Sequence, residues 1–428
     1  MKILDQKNIS FYKDLKKNLK KRYNKNNNNL NNLVKKIIID VKRNGDKALI
    51  KYAKKFDNIK IKKNDLIKKN IKKNEFINEI DKNVLTSFRK AITNVVKFHK
   101  KQIPKNYIHN NFGAKLYSQW KPLDSVGLYI PGGKAVYPSS IIMNVIPAKI
   151  AGVKRIVCVT PPCKKINPYI LALLYELKIK EIYFIGGAQA IAALAYGTET
   201  IKPVNKIFGP GNDFVASAKK HVFGKVGIDL IAGPSEIVVL ANSKNNPDWV
   251  ACDLMAQAEH DINSQSILIT DNKNFAKKVL NIIKKLSAKL NKKNTISKSL
   301  KNNGIIILIK NIEKSFEIIN YIAPEHLHLH IKKNKKFLNN LKNVGSIFIG
   351  EYASESFGDY IVGTNHVLPT FGSAKFSSGL GVLDFMKRNS IIEINRLSFN
   401  QFAKDVEKMA DVEGLEAHKL SVKIRQTK

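Results

Sequence analysis

The spacing of apolar residues changes along the chain, and the first change falls near residue 98. Before it, apolar positions recur at helical intervals, as over residues 34–41, and Asn44-Gly45 is expected to close that helix. Residues 1–23 predict a polar helix or arm, and the asparagines at 26–29 a linker. We expect this part of the chain to be a helical wrap with a lysine-rich outer face and no catalytic residue.

From residue 126 onward, short β-rich runs alternate with stretches long enough for helices, which favours parallel sheets with helical crossovers. The first series has strands at 126–130, 155–160, 181–185 and 206–208, and helices near 138–151, 167–177 and 188–196. The second has strands at 265–270, 304–309, 326–331 and 344–349, and helices near 273–290 and 311–321. Two α/β units in tandem, joined near Ser235, are predicted, and helices at 399–409 and 413–423 follow them.

The formal charge of +40 on 428 residues raises the possibility of a nucleic-acid or membrane-surface partner. The basic residues are nearly all lysine, however, whereas base recognition and bidentate phosphate contacts favour arginine. Lysine also accompanies Asn and Ile, and it is absent from 181–200 and 228–242. We interpret the charge as a compositional bias of solvated surfaces and expect no nucleic-acid partner, with a Lys-rich nucleic-acid-binding protein as the alternative from another class.

The three cysteines, Cys158, Cys163 and Cys252, are too few and too scattered for a disulfide framework or a Cys-x-x-Cys metal knuckle. Cys158 lies in an apolar run and is expected to be buried, whereas His99 and His109 are expected at the surface. The N-terminus is polar, and no apolar run reaches the roughly 18 residues of a membrane span. These features predict a soluble cytoplasmic protein without a membrane partner.

Candidate metal chemistry appears first between residues 228 and 260. A strand is expected to deliver Ala232-Gly-Pro-Ser235 to a tight turn that presents the Ser235 hydroxyl to a cleft. Gln257 and His260 are three apart and would share one helix face, where an amide oxygen and an imidazole supply half of a divalent-metal site. Such pairs also occur on solvated helices, so the pair alone leaves both interpretations open.

A second candidate is the alternating segment at residues 326–331. His326, His328 and His330 would share one face of a strand, but a flat row of imidazoles converges poorly on a metal ion. We therefore expect His328 and His330 to face solvent. His326 differs because Glu325 lies beside it at the strand entrance. An imidazole there can take a proton from an alcohol, and Glu325 could activate water.

The Gly-x-Gly-x-x-Gly fingerprint of dinucleotide-binding domains is absent. Gly132-Gly133, Gly186-Gly187 and Gly209-Pro-Gly211 nevertheless each follow a predicted strand, where backbone amides and the next helix N-terminus can hold a pyrophosphate. Each turn also has a purely geometric interpretation. Three of them along one sheet indicate a dinucleotide cleft.

Ordered sequence blocks from about residue 126 to residue 418 resemble the histidinol dehydrogenase family, zinc enzymes that complete histidine biosynthesis. The blocks are Gly127-Leu-Tyr-Ile-Pro-Gly-Gly133, Gly186-Gly-Ala-Gln189, Phe208-Gly-Pro-Gly-Asn212, Ile228-Asp-Leu-Ile-Ala-Gly-Pro-Ser-Glu236, Gln257-Ala-Glu-His260, Ala323-Pro-Glu-His326, Gly358-Asp359, Gly363-Thr-Asn-His-Val-Leu-Pro369 and Glu413-Gly-Leu-Glu-Ala-His418. The N-terminal hundred residues match poorly.

The resemblance implies two incomplete Rossmann-like domains with helical N- and C-terminal segments. Residues 1–23 would be an N-terminal helical arm. Residues 24–127 and 236–380 would form a discontinuous first α/β domain that carries most metal and catalytic residues. Residues 128–235 would form an inserted NAD-binding domain, and residues 381–428 a helical segment that clasps the partner subunit of a homodimer.

The resemblance also implies specific roles for residues of this chain. Tyr129, Gln189 and Asn212 would contact NAD, and Gln257, His260, Asp359 and His418 would bind zinc and, through it, the substrate L-histidinol. Glu325 and His326 would be catalytic, with His326 removing the hydroxyl proton and Glu325 assisting hydration of the bound aldehyde. Ser235, His366 and Glu413 would contact substrate together with His326. The alternative interpretations are a turn hydroxyl for Ser235, a loop histidine for His366, a helix-start carboxylate for Glu413 and a turn aspartate for Asp359.

Three questions stay open at this level. The substrate could be another small alcohol of a metal-dependent dehydrogenase, and the protein could be an inactive relative of the enzyme. The metal could be zinc or manganese. Glu413 and His418 are five apart and would diverge on a straight helix, so Gly414 is expected to bend the chain there.

Overall fold

The computed structural model describes residues 1–20, 28–132, 137–331 and 335–426, and within these ranges it contains two six-stranded sheets and one three-stranded sheet. The strands are β1 Lys2–Asp5, β2 Ile67–Lys68, β3 Tyr107–Asn111, β4 Ala114–Pro122, β5 Ser125–Tyr129, β6 Arg155–Thr160, β7 Glu181–Phe184, β8 Lys206–Phe208, β9 Gly227–Ile228, β10 Glu236–Leu240, β11 Gln265–Thr270, β12 Ile305–Leu308, β13 His326–Leu329, β14 Ser346–Ile349 and β15 Met386–Glu393. The α-helices are α1 Phe11–Lys20, α2 Asn28–Tyr52, α3 Lys82–His99, α4 Pro138–Ala151, α5 Pro168–Glu176, α6 Gly187–Tyr196, α7 Asp213–Val222, α8 Pro247–Ala258, α9 Lys273–Ser287, α10 Lys293–Asn303, α11 Phe316–Ile322, α12 Lys335–Asn340, α13 Glu355–Tyr360, α14 Arg396–Val412 and α15 Glu416–Lys423.

The first six-stranded sheet, here called the cofactor sheet, has the order β2-β7-β6-β5-β8-β9. Strands β5 to β9 run parallel, and β2 pairs antiparallel with β7 at one edge. Counted along the chain from β5, the order is third, second, first, fourth, fifth, which is the doubly wound arrangement of Rossmann-like folds. Helices α2, α6 and α7 cover one face, and α3, α4 and α5 cover the other.

The second six-stranded sheet, the catalytic sheet, has the order β1-β12-β11-β10-β13-β14, and all its strands run parallel. From β10 to β14 the chain order repeats the doubly wound arrangement, and β1 adds an edge strand beside β12. Helices α1, α11 and α12 cover one face, and α8, α9 and α10 cover the other. The two parallel sheets confirm the predicted α/β fold class.

A small antiparallel sheet, in the order β15-β4-β3, links the C-terminal segment to the rest of the chain. Helices α14 and α15 follow it, and Gly414 between them has a φ of +66°. This left-handed conformation suits glycine and bends the chain between the two helices, as predicted, so that α15 folds back beside α14 and Lys419 forms an ion pair with Asp411.

Some elements differ from the prediction. The predicted N-terminal arm contains β1 as well as a helix, and the predicted helical C-terminal segment begins with β15. Gly45 is non-helical (φ +49°, ψ −129°) and divides α2 at a kink, so Asn44-Gly45 closes the first helical stretch as predicted, and a second stretch continues to Tyr52. The carboxylate of Glu199 accepts the amide of Asp46 at 2.8 Å just after this kink, which holds the helix there.

The packing of the N-terminal helices also departs from the predicted division into domains. Helices α2 and α3 were predicted to belong with residues 236–380, but they pack on the two faces of the cofactor sheet. The apolar stripe over residues 34–41 supplies that contact, and Val34 and Ile37 are fully buried beside α6 and α7. Of the predicted linker at 26–29, Asn26 and Asn27 lie outside the described residues, and Asn28 begins α2.

The predicted burial is correct for Cys158 and His109 but wrong for His99. Cys158 is buried in the core, as predicted, and burial raises the pKa of its thiol. His109 is exposed, as predicted, but His99 is fully buried, so that prediction is wrong. The ring of His99 packs beneath Asn365, whose segment crosses the end of α3, and burial lowers the pKa of His99. None of the helices in the described ranges combines the length and apolar character needed to cross a bilayer.

Candidate active site

A cleft of about 830 Å³ lies at the carboxyl edge of the cofactor sheet. Tyr129 at the end of β5, Thr160 at the end of β6, Gly187 at the start of α6 and Asn212 before α7 all line it. The strand order reverses between β5 and β8, and ligands of doubly wound sheets bind at this switch point. The N-termini of α6 and α7 add positive partial charge to the same edge, which suits an anionic group such as a pyrophosphate.

All three residues predicted to contact NAD line this cleft. The Tyr129 hydroxyl accepts the amide of Gly187 at 3.1 Å, and burial raises the pKa of Tyr129 to about 12. Gln189 is buried on α6. The side-chain oxygen of Asn212 caps α7 by accepting the amides of Phe214 and Val215, so its remaining amide group is the part that can meet a ligand.

The turn that carries Asn212 is fixed by two buried charges. Lys219 on α7 forms an ion pair with Asp229 and donates to the Gly209 carbonyl at 2.9 Å. Asp229 accepts the Gly209 amide at 2.8 Å. Asp229 belongs to the 228–236 block, so part of that block supports the cofactor cleft instead of contacting the substrate. Of the predicted glycine turns, Gly133 lies outside the described residues.

A second group of candidate site residues lies on the catalytic sheet, at the amino ends of β10 and β13. Ser235 directly precedes β10, and Glu325 directly precedes β13. Glu325 accepts the backbone amide of Glu236 at 2.8 Å, and Glu236 in turn accepts the amide of Phe371 at 2.7 Å. The Ala232–Ser235 turn is held by a hydrogen bond from the Gly233 amide to the Thr370 hydroxyl at 2.7 Å.

The geometry of His326 defines which of its nitrogens is basic. Nδ1 lies 3.1 Å from the carbonyl oxygen of Glu236, and since a carbonyl only accepts, Nδ1 carries the hydrogen. Nε2 then holds the lone pair, and it points toward Asp359, whose Oδ1 is 3.8 Å away. Burial lowers the pKa of His326, so its imidazole is neutral at pH 7 and is competent as a base.

Three of the four predicted metal ligands are gathered in the described structure. Gln257 on α8 is buried, His260 follows two residues after the end of that helix, and Asp359 is on α13. Donor atoms of His260, Asp359 and a further residue, Glu355, all lie within 4.8 Å of one another. The set offers one imidazole and carboxylate oxygens, which zinc accepts.

Glu355 was missed by sequence reasoning, although it precedes Asp359 by four residues and therefore shares its helix face. Its carboxylate lies 2.9 and 3.0 Å from the Gln257 side-chain amide. The Gln257 amide nitrogen donates to both oxygens of Glu355, so the Gln257 oxygen is turned away from that carboxyl group. Burial, together with the negative charges of Asp359, Glu325 and Asp253, raises the pKa of Glu355 well above its ordinary value.

His366 and Tyr137 complete the surroundings of this cluster. The Nδ1 of His366 donates to the backbone carbonyl of Asp359 at 3.0 Å, which leaves Nε2 as the acceptor. The ring of Tyr137, just before α4, stacks on His260 with centroids 6.4 Å apart. Since α4 packs on the cofactor sheet, Tyr137 joins that part of the chain to the His260 side of the candidate metal site.

Glu413 and His418 are not brought to these residues within one chain. Both side chains are exposed, Glu413 after α14 and His418 on α15. The Ser421 hydroxyl donates a hydrogen bond to the His418 carbonyl, which is a local contact within α15. The surrounding segment exposes apolar side chains, including Met409 at 65% and Val412 at 89% exposure.

The prediction that His328 and His330 face solvent is wrong, because both are buried beneath α8. An inner strand of a parallel sheet is covered on both faces, so its alternating pattern does not indicate a solvated side. Asp253 Oδ2 lies 3.0 Å from His328 Nδ1 and 2.8 Å from His330 Nε2. These are hydrogen-bond distances, shorter than the roughly 3.3 Å between ligands of a tetrahedral zinc ion.

Replacing Asp253 with Ala should lower the free energy of unfolding by about 3 kcal/mol, because the buried imidazole of His330 loses its acceptor and that of His328 loses the carboxylate 3.0 Å away. Urea denaturation measures this, and exposed Asp248→Ala on the same helix is the control. Burial opposes ionisation of Asp253, but hydrogen bonds from His328 and His330 outweigh it and lower its pKa. The stabilisation is therefore complete above about pH 4 and lost below it, as pH falls through the lowered pKa. An equal destabilisation by both variants would contradict this account.

Comparison with known proteins identifies the family of the chain. A family model described as Histidinol dehydrogenase matches residues 20–426. The chain is 47% identical over 395 residues to a histidinol dehydrogenase of Rhizobium meliloti (strain 1021), spanning 92% of this chain and 91% of that protein. It is 46% identical over 395 residues to one of Clostridium acetobutylicum, with the same coverage. A crystal structure of histidinol dehydrogenase from Elizabethkingia anophelis has a TM-score of 0.93 and 36% identity, covering 100% of this chain and 98% of that chain.

Proposed function

Because the chain belongs to the histidinol dehydrogenase family, we propose that it oxidises L-histidinol through bound histidinal to L-histidine, using two NAD and a zinc ion. The observation that carries the proposal is the orientation of His326. Its lone-pair nitrogen faces Asp359 of the candidate metal site, and Tyr137, just before a helix that packs on the cofactor sheet, stacks on His260 of that site. This oxidation requires a general base, a metal site and a cleft that binds a dinucleotide.

The donors fit a zinc ion. Gln257, His260 and Asp359 would hold it, with Glu355 beside them, and the concentration of carboxylates there favours a bound cation. A bound zinc would orient the substrate through its amine and imidazole, and bound NAD would accept a hydride in each oxidation. Manganese is the alternative metal, because oxygen donors also suit it.

The chain's own residues would move the protons. His326 Nε2 takes the hydroxyl proton of the alcohol as the carbonyl forms, and Nδ1 stays fixed on the Glu236 carbonyl. Glu325, 3.7 Å from the same ring, would then assist water addition to the aldehyde. His326 would act again when the resulting hydrate is oxidised. Ser235 directly precedes Glu236, and His366 donates to the Asp359 carbonyl, and both would contact the substrate.

Glu413 and His418 require a second copy of the chain in this scheme. Both are exposed, no contact among the described residues joins His418 to the group of His260, Glu355 and Asp359, and the segment around them exposes apolar side chains. We infer a homodimer in which the C-terminal segment of one subunit completes the site of the other, so that His418 supplies the fourth protein ligand to zinc. A cytoplasmic location stays a prediction.

Product counting tests the proposal. Each L-histidinol consumed should yield two NADH, activity should disappear when a chelator removes the metal, and added zinc should restore it. Absorbance at the NADH band and chromatographic assay of histidine measure both products in one reaction. An amino alcohol of similar size that lacks the imidazole should be a poor substrate. One NADH per alcohol, or equal use of the analogue, would instead indicate a dehydrogenase of another small alcohol.

A further inference from the structure

The cofactor cleft contains a carboxylate without an assigned role. Asp57 is the last residue of the π-helical turn Ala53–Asp57, which continues directly from α2. The chain then reverses at Asn58, which has a left-handed conformation and donates its amide to the Ala53 carbonyl. The reversal brings the Asp57 side chain into the lining of the cleft together with Tyr129 and Gln189. Turns of this kind are rare and frequently occur at functional sites.

The Asp57 carboxylate is poorly satisfied by the protein. Its Oδ2 is buried and has no hydrogen-bond partner among the described residues. Burial raises the pKa of Asp57 to about 6, so the group is still ionised at neutral pH. A buried acceptor without a donor destabilises the fold, and most such groups in native proteins are satisfied. A buried acceptor of this kind in a cleft is typical of a group that receives its hydrogen bond from a ligand.

The charge of the residues that line the cleft indicates the charge of the ligand group that binds beside Asp57. Three of the described lining residues bear an ionisable carboxylate or ammonium group: Asp57, Glu79 and Lys165. Lys165 forms an ion pair with Glu79 at 2.6 Å, so Asp57 is the carboxylate left without a counter-ion there. In a chain with a formal charge of +40, the described lining of this cleft is net negative. An additional phosphate dianion would meet repulsion beside Asp57, whereas neutral hydroxyls would donate to it.

Apolar side chains next to Asp57 indicate which part of a dinucleotide would lie there. Phe56 and Phe214 line the same cleft, and they offer apolar surface on which an adenine packs. The nicotinamide end must instead point toward His326, because hydride transfer requires contact with the substrate. A carboxylate near the adenine end of a Rossmann-like cleft is placed to accept ribose hydroxyls.

We propose that Asp57 accepts the hydroxyls of the adenosine ribose and selects NAD over NADP, which carries a phosphate at the 2′ position. The proposal rests on the function proposed above and adds a specificity-determining residue to it. The negative charge of Asp57 performs both tasks, since it strengthens hydrogen bonds from the diol and repels the 2′-phosphate.

The test uses the full-length zinc-loaded enzyme with Asp57→Asn, and Asp65→Asn as an exposed-carboxylate control. Wild type should use NAD far better than NADP. Asp57→Asn should lower kcat/KM for NAD by about 10–100-fold, the range expected for hydrogen bonds to a charged group, and narrow the NAD-to-NADP ratio at least tenfold. Removing the 2′-hydroxyl with 2′-deoxy-NAD should impair wild type and leave Asp57→Asn nearly unaffected. Asp65→Asn should behave as wild type.

Thermal unfolding of the ligand-free variants separates a binding role from a structural one. Because Oδ2 of Asp57 accepts no hydrogen bond from the described residues, Asp57→Asn should melt at the wild-type temperature or above it. A lowered melting temperature with a parallel fall for NAD and 2′-deoxy-NAD would overturn the proposal, as would weaker NAD use with unchanged discrimination against NADP. If wild type oxidises no histidinol, the proposed function fails; calorimetric titration with NAD and NADP then still tests Asp57.

Discussion

Replacing His326 with Asn is expected to lower kcat for histidinol oxidation about 10³-fold, within the range that general-base catalysis contributes. The Nε2 atom that would take the hydroxyl proton is lost, and the carboxamide that replaces it is not basic. The zinc content should stay near that of wild type, because the predicted metal donors come from Gln257, His260 and Asp359 and not from His326. NADH absorbance gives kcat, and elemental analysis of the purified chain gives zinc per subunit.

His109→Asn is the matched control, since His109 is exposed on β3 and has no part in the cluster. It should leave both kcat and zinc content unchanged. Asp359→Ala provides the opposite pattern, in which zinc and activity are lost together. Retained turnover in His326→Asn would rule out His326 as the base, and loss of zinc from that variant would assign the residue to the metal centre instead.

The parallel sheets could be predicted from sequence because their strands are short, apolar and punctuated by turns. All five residues of β10 are buried, and this run stands between the turn residues Gly233-Pro234 and Asn242, well short of helical length. The antiparallel strands could not be predicted in this way. The residues of β3 are all exposed and those of β15 nearly so, and without a buried face there is no alternation to detect. Strand β1 was missed because it has only four residues and its pairing partner, β12, is remote in sequence.

The candidate site shows a similar limit. His260 and Asp359 come from different helices, and only the fold or the family resemblance brings them together. The spacing of Glu355, one helical turn before Asp359, could have suggested that the two share a helix face. Nothing in the sequence of this short helix indicates that Glu355 is buried. His328 and His330 were misjudged for the same reason, since the covering helix that carries Asp253 is remote in sequence. Asp57 carries no motif at all, and only the cleft geometry reveals it.

Mixing two inactive variants, His326→Asn and His418→Ala, is expected to restore activity. In the proposed homodimer each site combines the body of one subunit, with His326 and Asp359, and the C-terminal segment of the other, with His418. A mixed dimer then has one site that carries both substitutions and one that carries neither. If subunits reassort at random, half of the dimers are mixed, so about a quarter of all sites should regain wild-type activity.

The measurement is NADH formation after co-expression of the two variants with different affinity tags and purification of the mixed dimer, where half of the sites should be active. His326→Asn with Asp359→Ala is the control pair, because both substitutions fall in the body of the subunit and neither mixed site is intact. Recovery in the first pair and none in the second requires that His418 act in the neighbouring subunit's site. An isolated mixed dimer without activity would contradict the shared site, and zinc would then need a fourth ligand from its own chain, for which Glu355 is the residue at hand.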